Sequence, residues 1–152
     1  IQLSIGIIVD SIHHDTSTKA TNKESLLVFS RSNRLLNTSH PITKGERRSE
    51  KINSVVTYGG GGLKGAGYVN IFQLSPSAII KKHNGSEPSG TADSQALAGR
   101  YGKGRVVALG DCNGFTAMYV MQGSTKLAAG MQVASYDWKQ FSINTLHWLS
   151  KF

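Results

Sequence analysis

The chain has 152 residues, of which 39% are apolar and 17% charged, a balance that excludes disorder throughout and suits one domain with a real hydrophobic core. Its formal net charge is +8, which admits a polyanion as partner. A single cysteine, Cys112, excludes an internal disulfide and a cysteine-rich zinc site.

The chain opens on an apolar stretch (Ile1, Leu3, Ile5, Ile7, Ile8, Val9) rather than on a methionine. This reads as the interior of a longer gene product, with a strand at 7–9. Residues 13–23 are polar and aperiodic, hence a loop. Ser25–Phe29 is a short apolar run and predicts a strand. Asn33–Leu36 can form one helical turn that Pro41 ends. The dense basic group Lys44, Arg47, Arg48 and Lys51 follows, interrupted by Glu46 and Glu50. No aromatic residue interleaves with it to stack bases, which disfavours nucleic acid and leaves an acidic glycan as the polyanion to consider.

Ile52–Tyr58 predicts a strand that ends in four glycines, Gly59 to Gly62. Tyr68–Leu74 and 78–82 are β-rich, and 83–93 is a loop by composition. Gln95–Tyr101 leads to a turn at 102–104. Arg105–Leu109 is apolar after its first residue and predicts a central strand covered on both faces. Gly110–Gly114 is the loop at its carboxyl end. Asp137 and Gln140 have the spacing of a capping pair. Beyond them Trp138, Phe141, Thr145, Leu146, Trp148, Leu149 and Phe152 fall on one helical face, which a sheet containing 105–109 would cover.

Several motifs carry chemistry in other settings. Gly60–Gly65 is a literal G-x-G-x-x-G, but a dinucleotide site needs a helix to open there, and Tyr68, Val69, Ile71 and Phe72 favour a strand instead. The expectation is a glycine loop hugging a neighbouring backbone, and no cofactor motif is complete. Gly110–Gly114 is a literal G-x-C-x-G after a strand, which makes Cys112 a candidate nucleophile for a hydrolase or amidotransferase-like enzyme. No motif supplies its base: His147 lies inside the terminal helix, and His13, His14, His40 and His83 lie upstream in loops. His13, His14 and Asp15 are adjacent and cannot easily all face one ion. Asn37-Thr38-Ser39 and Asn84-Gly85-Ser86 match the glycosylation acceptor pattern. No apolar run reaches the ~18 residues of a membrane span, and no signal peptide is visible.

The segment RYGKGRVVALGDCNGFT (100–116), with FSINTLHWLSKF (141–152), resembles the end of class I glutamine amidotransferase-like domains. It is closer to the non-catalytic branch found in gliding, transport-associated and intraflagellar transport proteins. Ser39–Gly45 (SHPITKG) is similar to a His-Pro-(Leu/Ile)-Thr-x-Gly stretch of the same domains. The resemblance implies an α/β domain over 1–152 with a mainly parallel, flavodoxin-like sheet flanked by helices, lacking its first βα units. It also implies that Cys112 sits where the family's base belongs, so no catalytic residue carries over. The expectation is therefore a non-catalytic interaction or ligand-binding domain of a larger, secreted or envelope protein. Its partner would be another protein or an upstream segment of the same gene product. A ligand would meet the carboxyl ends of strands, at Tyr58, Gly59, Gly60 and Gly61, with Asp111 and Asn113 opposite; Asp111 would otherwise cap its own turn.

Overall fold

The structure, a computed structural model, describes residues 1–151. In chain order the strands are β1 (Gln2–Leu3), β2 (Ile7–Val9), β3 (Val28–Ser30), β4 (Ser54–Val56), β5 (Leu63–Lys64), β6 (Val69–Gln73), β7 (Ile79–Lys81), β8 (Ser94–Tyr101), β9 (Gly104–Leu109), β10 (Ala117–Gln122) and β11 (Thr125–Gly130). Two α-helices, α1 (Pro41–Lys44) and α2 (Trp138–Ser150), and three short 3-10 turns complete the elements.

Every strand pair among the described residues is antiparallel. The largest sheet has five strands in the order β1-β5-β8-β6, with β9 also on β8; β2–β7, β3–β4 and β10–β11 form separate two-stranded pairs. This overturns the expected α/β, flavodoxin-like architecture with a mainly parallel sheet, and with it the notion of missing first βα units. The physical reason is visible at Gly102-Lys103. Tyr101 pairs with Gly104, so β8 and β9 are joined by two residues, and a two-residue loop can only return the chain antiparallel. Gly102 has φ +58°, the left-handed geometry such a turn requires. Arg105–Leu109 is accordingly not a central strand: β9 pairs with β8 alone, and its residues are half-buried.

The core gathers around aromatic rings from distant elements. Phe29 of β3 stacks on Phe72 of β6 with centroids 5.0 Å apart. Trp138 and Phe141 of α2 meet Phe72 at 5.9 Å and 5.0 Å. All four rings are fully buried, with Ile42, Ile52, Val55 and Ile71 around them. The Trp138 indole N–H donates to the Val56 carbonyl at 2.6 Å, which satisfies its one polar atom inside the core.

Three local expectations are corrected. Pro41 opens a helix instead of ending one: it occupies the first turn of α1, where its missing N–H has no cost, and His40 caps it through Nδ1. Asp137 and Gln140 do not form a capping pair. The Asp137 carboxylate instead accepts the N–H groups of Asn53 (2.7 Å) and Ser54 (3.1 Å), tying the start of α2 to β4, while Gln140 donates to Asn144. On α2, Leu146 faces solvent, and Ser142 and Asn144 are buried in its place. Asn144 donates to the carbonyls of Ile42 and Glu50, so the helix is held to α1 and its following turn by polar contacts as well as apolar ones. Phe152 lies outside the described residues. No described helix is long and apolar enough to cross a membrane.

Candidate functional site

The two glycine loops meet. Gly61 N–H donates to the Gly110 carbonyl at 2.9 Å, and Gly110 N–H donates to the Gln95 carbonyl. The approach is so close that a Cβ on Gly110 would lie 2.0 Å from the Gly61 oxygen, and one on Gly60 would lie 2.4 Å from the Asp111 Cβ. Glycine is required here because backbone packs on backbone. Gly114 has a different constraint: a Cβ there would meet the Trp138 ring at 2.2 Å. The G-x-C-x-G spacing is thus explained by packing at both glycines. The G-x-G-x-x-G run continues into β5 with no helix opening behind it.

Below these loops lies a buried polar clamp. The fully buried Gln95 accepts from Thr57 Oγ1 at 2.6 Å and donates to the Gly60 carbonyl at 3.1 Å. Asp111 is buried, and its carboxylate is already engaged by the Tyr58 N–H and by the backbone and side-chain N–H groups of Asn113, both at 2.9 Å. Tyr58 points the other way, its hydroxyl accepting the Gly130 N–H at 3.0 Å. Burial first, then the nearby carboxylates of Asp111 and Asp15, push the Tyr58 phenol up to about 12 against the opposing Gly130 bond. Of the residues that sequence reasoning assigned to a ligand, Gly59, Gly60, Gly61, Asp111 and Asn113 therefore line one cleft of about 330 Å³, with Leu3, Ser4, Gly6, Ile7 and Gly110 around them. Tyr58 does not line it.

Cys112 is exposed on this cleft, and His83 lines it too. No hydrogen bond joins them among the described residues, and Asp111, the nearest carboxylate, is spent on its own turn. A nucleophile–base–orienter relay is not assembled.

A second polar cluster escaped sequence reasoning. Asp10, at the carboxyl end of β2, is buried and accepts from the N–H groups of Ile12 (2.8 Å) and His13 (3.1 Å), from Ser75, and from Ser77 at 2.9 Å. Burial raises its pKa, but the hydrogen bonds from Ser75, Ile12, His13 and Ser77 outweigh that and hold it well below the usual carboxylate range. His13 Nδ1 lies 3.0 Å from Asp10 Oδ2. The composition matches a Ser-His-Asp triad and the geometry does not. Both serines donate to the carboxylate itself, and Ser77 approaches the same ring nitrogen that faces Asp10. The cluster pins β2 to the 75–77 turn. His14 Nδ1 bonds to the Asp10 carbonyl and Asp15 accepts from Ser17, so the three adjacent residues face different partners. No group of three His, Cys, Asp or Glu able to hold a metal occurs among the described residues.

At the other end of the molecule, Trp148 sits under the Arg105 guanidinium, 5.2 Å from its ring centroid, and against the edge of His40. The indole also lines a small pocket with Pro41, Glu50, Asn144 and Lys151. Of the two glycosylation-pattern asparagines, Asn37 commits its amide nitrogen to the Asn70 carbonyl at 3.0 Å, whereas Asn84 is exposed in a turn.

One run of consecutive exposed apolar side chains lies on the β10–β11 ribbon. Met118, Tyr119, Val120 and Met121 are all exposed, Met121 by 61%. The register runs without a bulge from Ala117↔Gly130 to Gln122↔Thr125, closed by Gly123-Ser124. Tyr58 holds its base through Gly130, and Gln122 reaches Thr21 at its tip (3.1 Å). The signal was present: two stretches flanking a Gly-Ser pair are a hairpin pattern.

Comparison with protein-family models, with characterised proteins and with solved structures finds no match to this chain. Together with the antiparallel sheets, this removes the amidotransferase-like resemblance. The motifs that carried it, Gly102–Arg105 and Gly110-Asp111, are a hairpin turn and a backbone contact.

Proposed function

We propose that this chain is a non-catalytic interaction domain that binds a protein partner through the β10–β11 ribbon. The observation that carries the reading is four consecutive large apolar side chains exposed on a two-stranded ribbon that spans both faces of the pair. Met118 and Val120 lie on one face of the strand and Tyr119 and Met121 on the other, so each face offers a partner exposed apolar side chains. Methionine and tyrosine suit such a surface, one being adaptable and the other amphipathic. The test is affinity capture from an extract of the protein's own source, on the immobilised wild-type chain and on a Met118→Ser/Met121→Ser variant. Proteins held by the first and lost from the second are the expected result. An identical set on both overturns the assignment to the ribbon.

A second reading, a cysteine-dependent hydrolase, has one observation in its favour: His83 shares the cleft with Cys112. An electrophilic thiol probe discriminates. Labelling of Cys112 at neutral pH at the rate of a free cysteine peptide, unchanged in His83→Ala, is expected. Labelling that is at least tenfold faster and lost in His83→Ala supports the enzyme.

A further inference from the structure

Resting on the interaction reading, we infer that the outer edge of β10 is a strand-addition site for an extended, acidic segment of a partner protein. The phase of the hairpin determines which backbone groups are free. Gly123-Ser124 is a two-residue loop, so Gln122 and Thr125 form a hydrogen-bonded pair, and bonded pairs recur at every second residue. The Met131 N–H donating to the Thr116 carbonyl at 2.7 Å lies in the same phase. It follows that Ala117, Tyr119 and Met121 direct their N–H and C=O groups away from β11. None of these groups has a backbone partner among the described residues.

An open edge is a template for another strand, and proteins usually blunt it with a proline, a bulge, an inward charge or a covering segment. None of these is found on β10. It has no proline and no charge, its register is unbroken, and all six of its residues are exposed. An added strand would gain main-chain hydrogen bonds from the three outward residues and alternate contacts with the side chains on either face.

Charge selects the occupant. No acidic residue lies between Asp111 and Asp137, and the ribbon carries one lysine, Lys126, held over the Tyr119 ring at 4.1 Å. The loop that touches its tip at Thr21 adds Lys19 and Lys23. None of these three lysines has an ion-pair partner among the described residues. A second copy of the chain would bring another net +8 to the contact, whereas an acid-bearing strand is complementary.

The test uses a fluorescein-labelled, end-capped hexapeptide alternating valine with glutamate, followed by anisotropy on the whole chain, with amide hydrogen exchange as a second readout. The expected result is binding that falls at least tenfold when glutamate is replaced by lysine, and new protection at the Ala117, Tyr119 and Met121 amides. Tyr119→Pro removes an outward donor without breaking a hairpin bond, and is expected to abolish binding while the Val120 and Leu127 amides stay protected. Should that variant open the hairpin, N-methylation of alternate peptide amides asks the same question without changing the protein, and a loss of at least tenfold is expected. Absence of binding at millimolar peptide, or binding indifferent to N-methylation, overturns strand addition. Capture that depends on Met118 and Met121 together with peptide binding indifferent to N-methylation would keep the interaction domain and remove its strand-like partner.

Discussion

Asp111 illustrates how a residue that looks functional in sequence can be fully occupied in structure. Its carboxylate accepts three N–H groups, one from Tyr58, 53 residues before it, and two from Asn113, so it joins the loop after β4 to the loop after β9. Asp111→Ala should leave the Tyr58 N–H without its acceptor and cost about 1–3 kcal/mol, the penalty of a buried orphaned donor. Urea denaturation measures it, and a midpoint equal to wild type would contradict the clamp. Gly110→Ala tests the other half of the contact. Its methyl would meet the Gly61 oxygen at 2.0 Å, and overpacking of this kind costs about 1–3 kcal/mol. Gly104→Ala, whose new Cβ would meet only the Tyr101 oxygen at 3.7 Å, is the control and should be nearly silent. The residues gathered at this cleft were legible from composition, since glycines and a strand-end aspartate signal tight backbone geometry. That their polar groups are turned inward was not legible, because the partners are remote in sequence.

At the level of elements, α2 and the β10–β11 ribbon fall at opposite extremes. The helix was readable from its apolar spacing, and its first turn carries the centre of the core. Trp138→Ala should cost about 3–5 kcal/mol by leaving a large cavity, and should also orphan the Val56 carbonyl. Asp137→Ala should lower stability by about 1–3 kcal/mol through the Asn53 and Ser54 N–H groups rather than through lost helix capping. Far-ultraviolet circular dichroism distinguishes the two: a fall in midpoint with unchanged native helix content is expected. The ribbon was not read from sequence because neither strand alternates cleanly between apolar and polar. Ala117–Gln122 is apolar on both faces up to its last residue, a pattern that predicts a strand covered on both sides, yet all six of its residues are exposed.

For the whole molecule, the acid limb of stability follows from one half-buried and one buried group, His40 and Asp10. His40 is half-buried, and Nδ1 accepts the Ile42 N–H, so the ring must be neutral to cap α1. Burial holds its pKa down to about 4 from 6.5. The unfolded chain therefore takes up the proton first as pH falls, and the contribution is whole above about 6.5 and lost on the way to 4. Asp10 acts in the same direction at lower pH, because its folded pKa lies below the ordinary 3.8 and its contribution disappears below that value. Thermal melts between pH 7 and 4 should show a declining midpoint that His40→Asn flattens, since asparagine keeps a capping acceptor and does not titrate. An unchanged slope in that variant would place the dependence elsewhere. The apolar runs that become β2, β4, β6 and α2 and the tight turn at Gly102 were legible along the chain. Those features depend on side-chain chemistry and neighbours within a few residues. Long-range contacts set the rest: β2 pairs with β7 and β3 with β4, Gly60 and Gly110 pack against each other's loops, Asp111 and Asp137 clamp distant backbone, and Asp10 gathers two serines. Each of these is a pairing between segments far apart in the chain, and local periodicity contains no term for the partner.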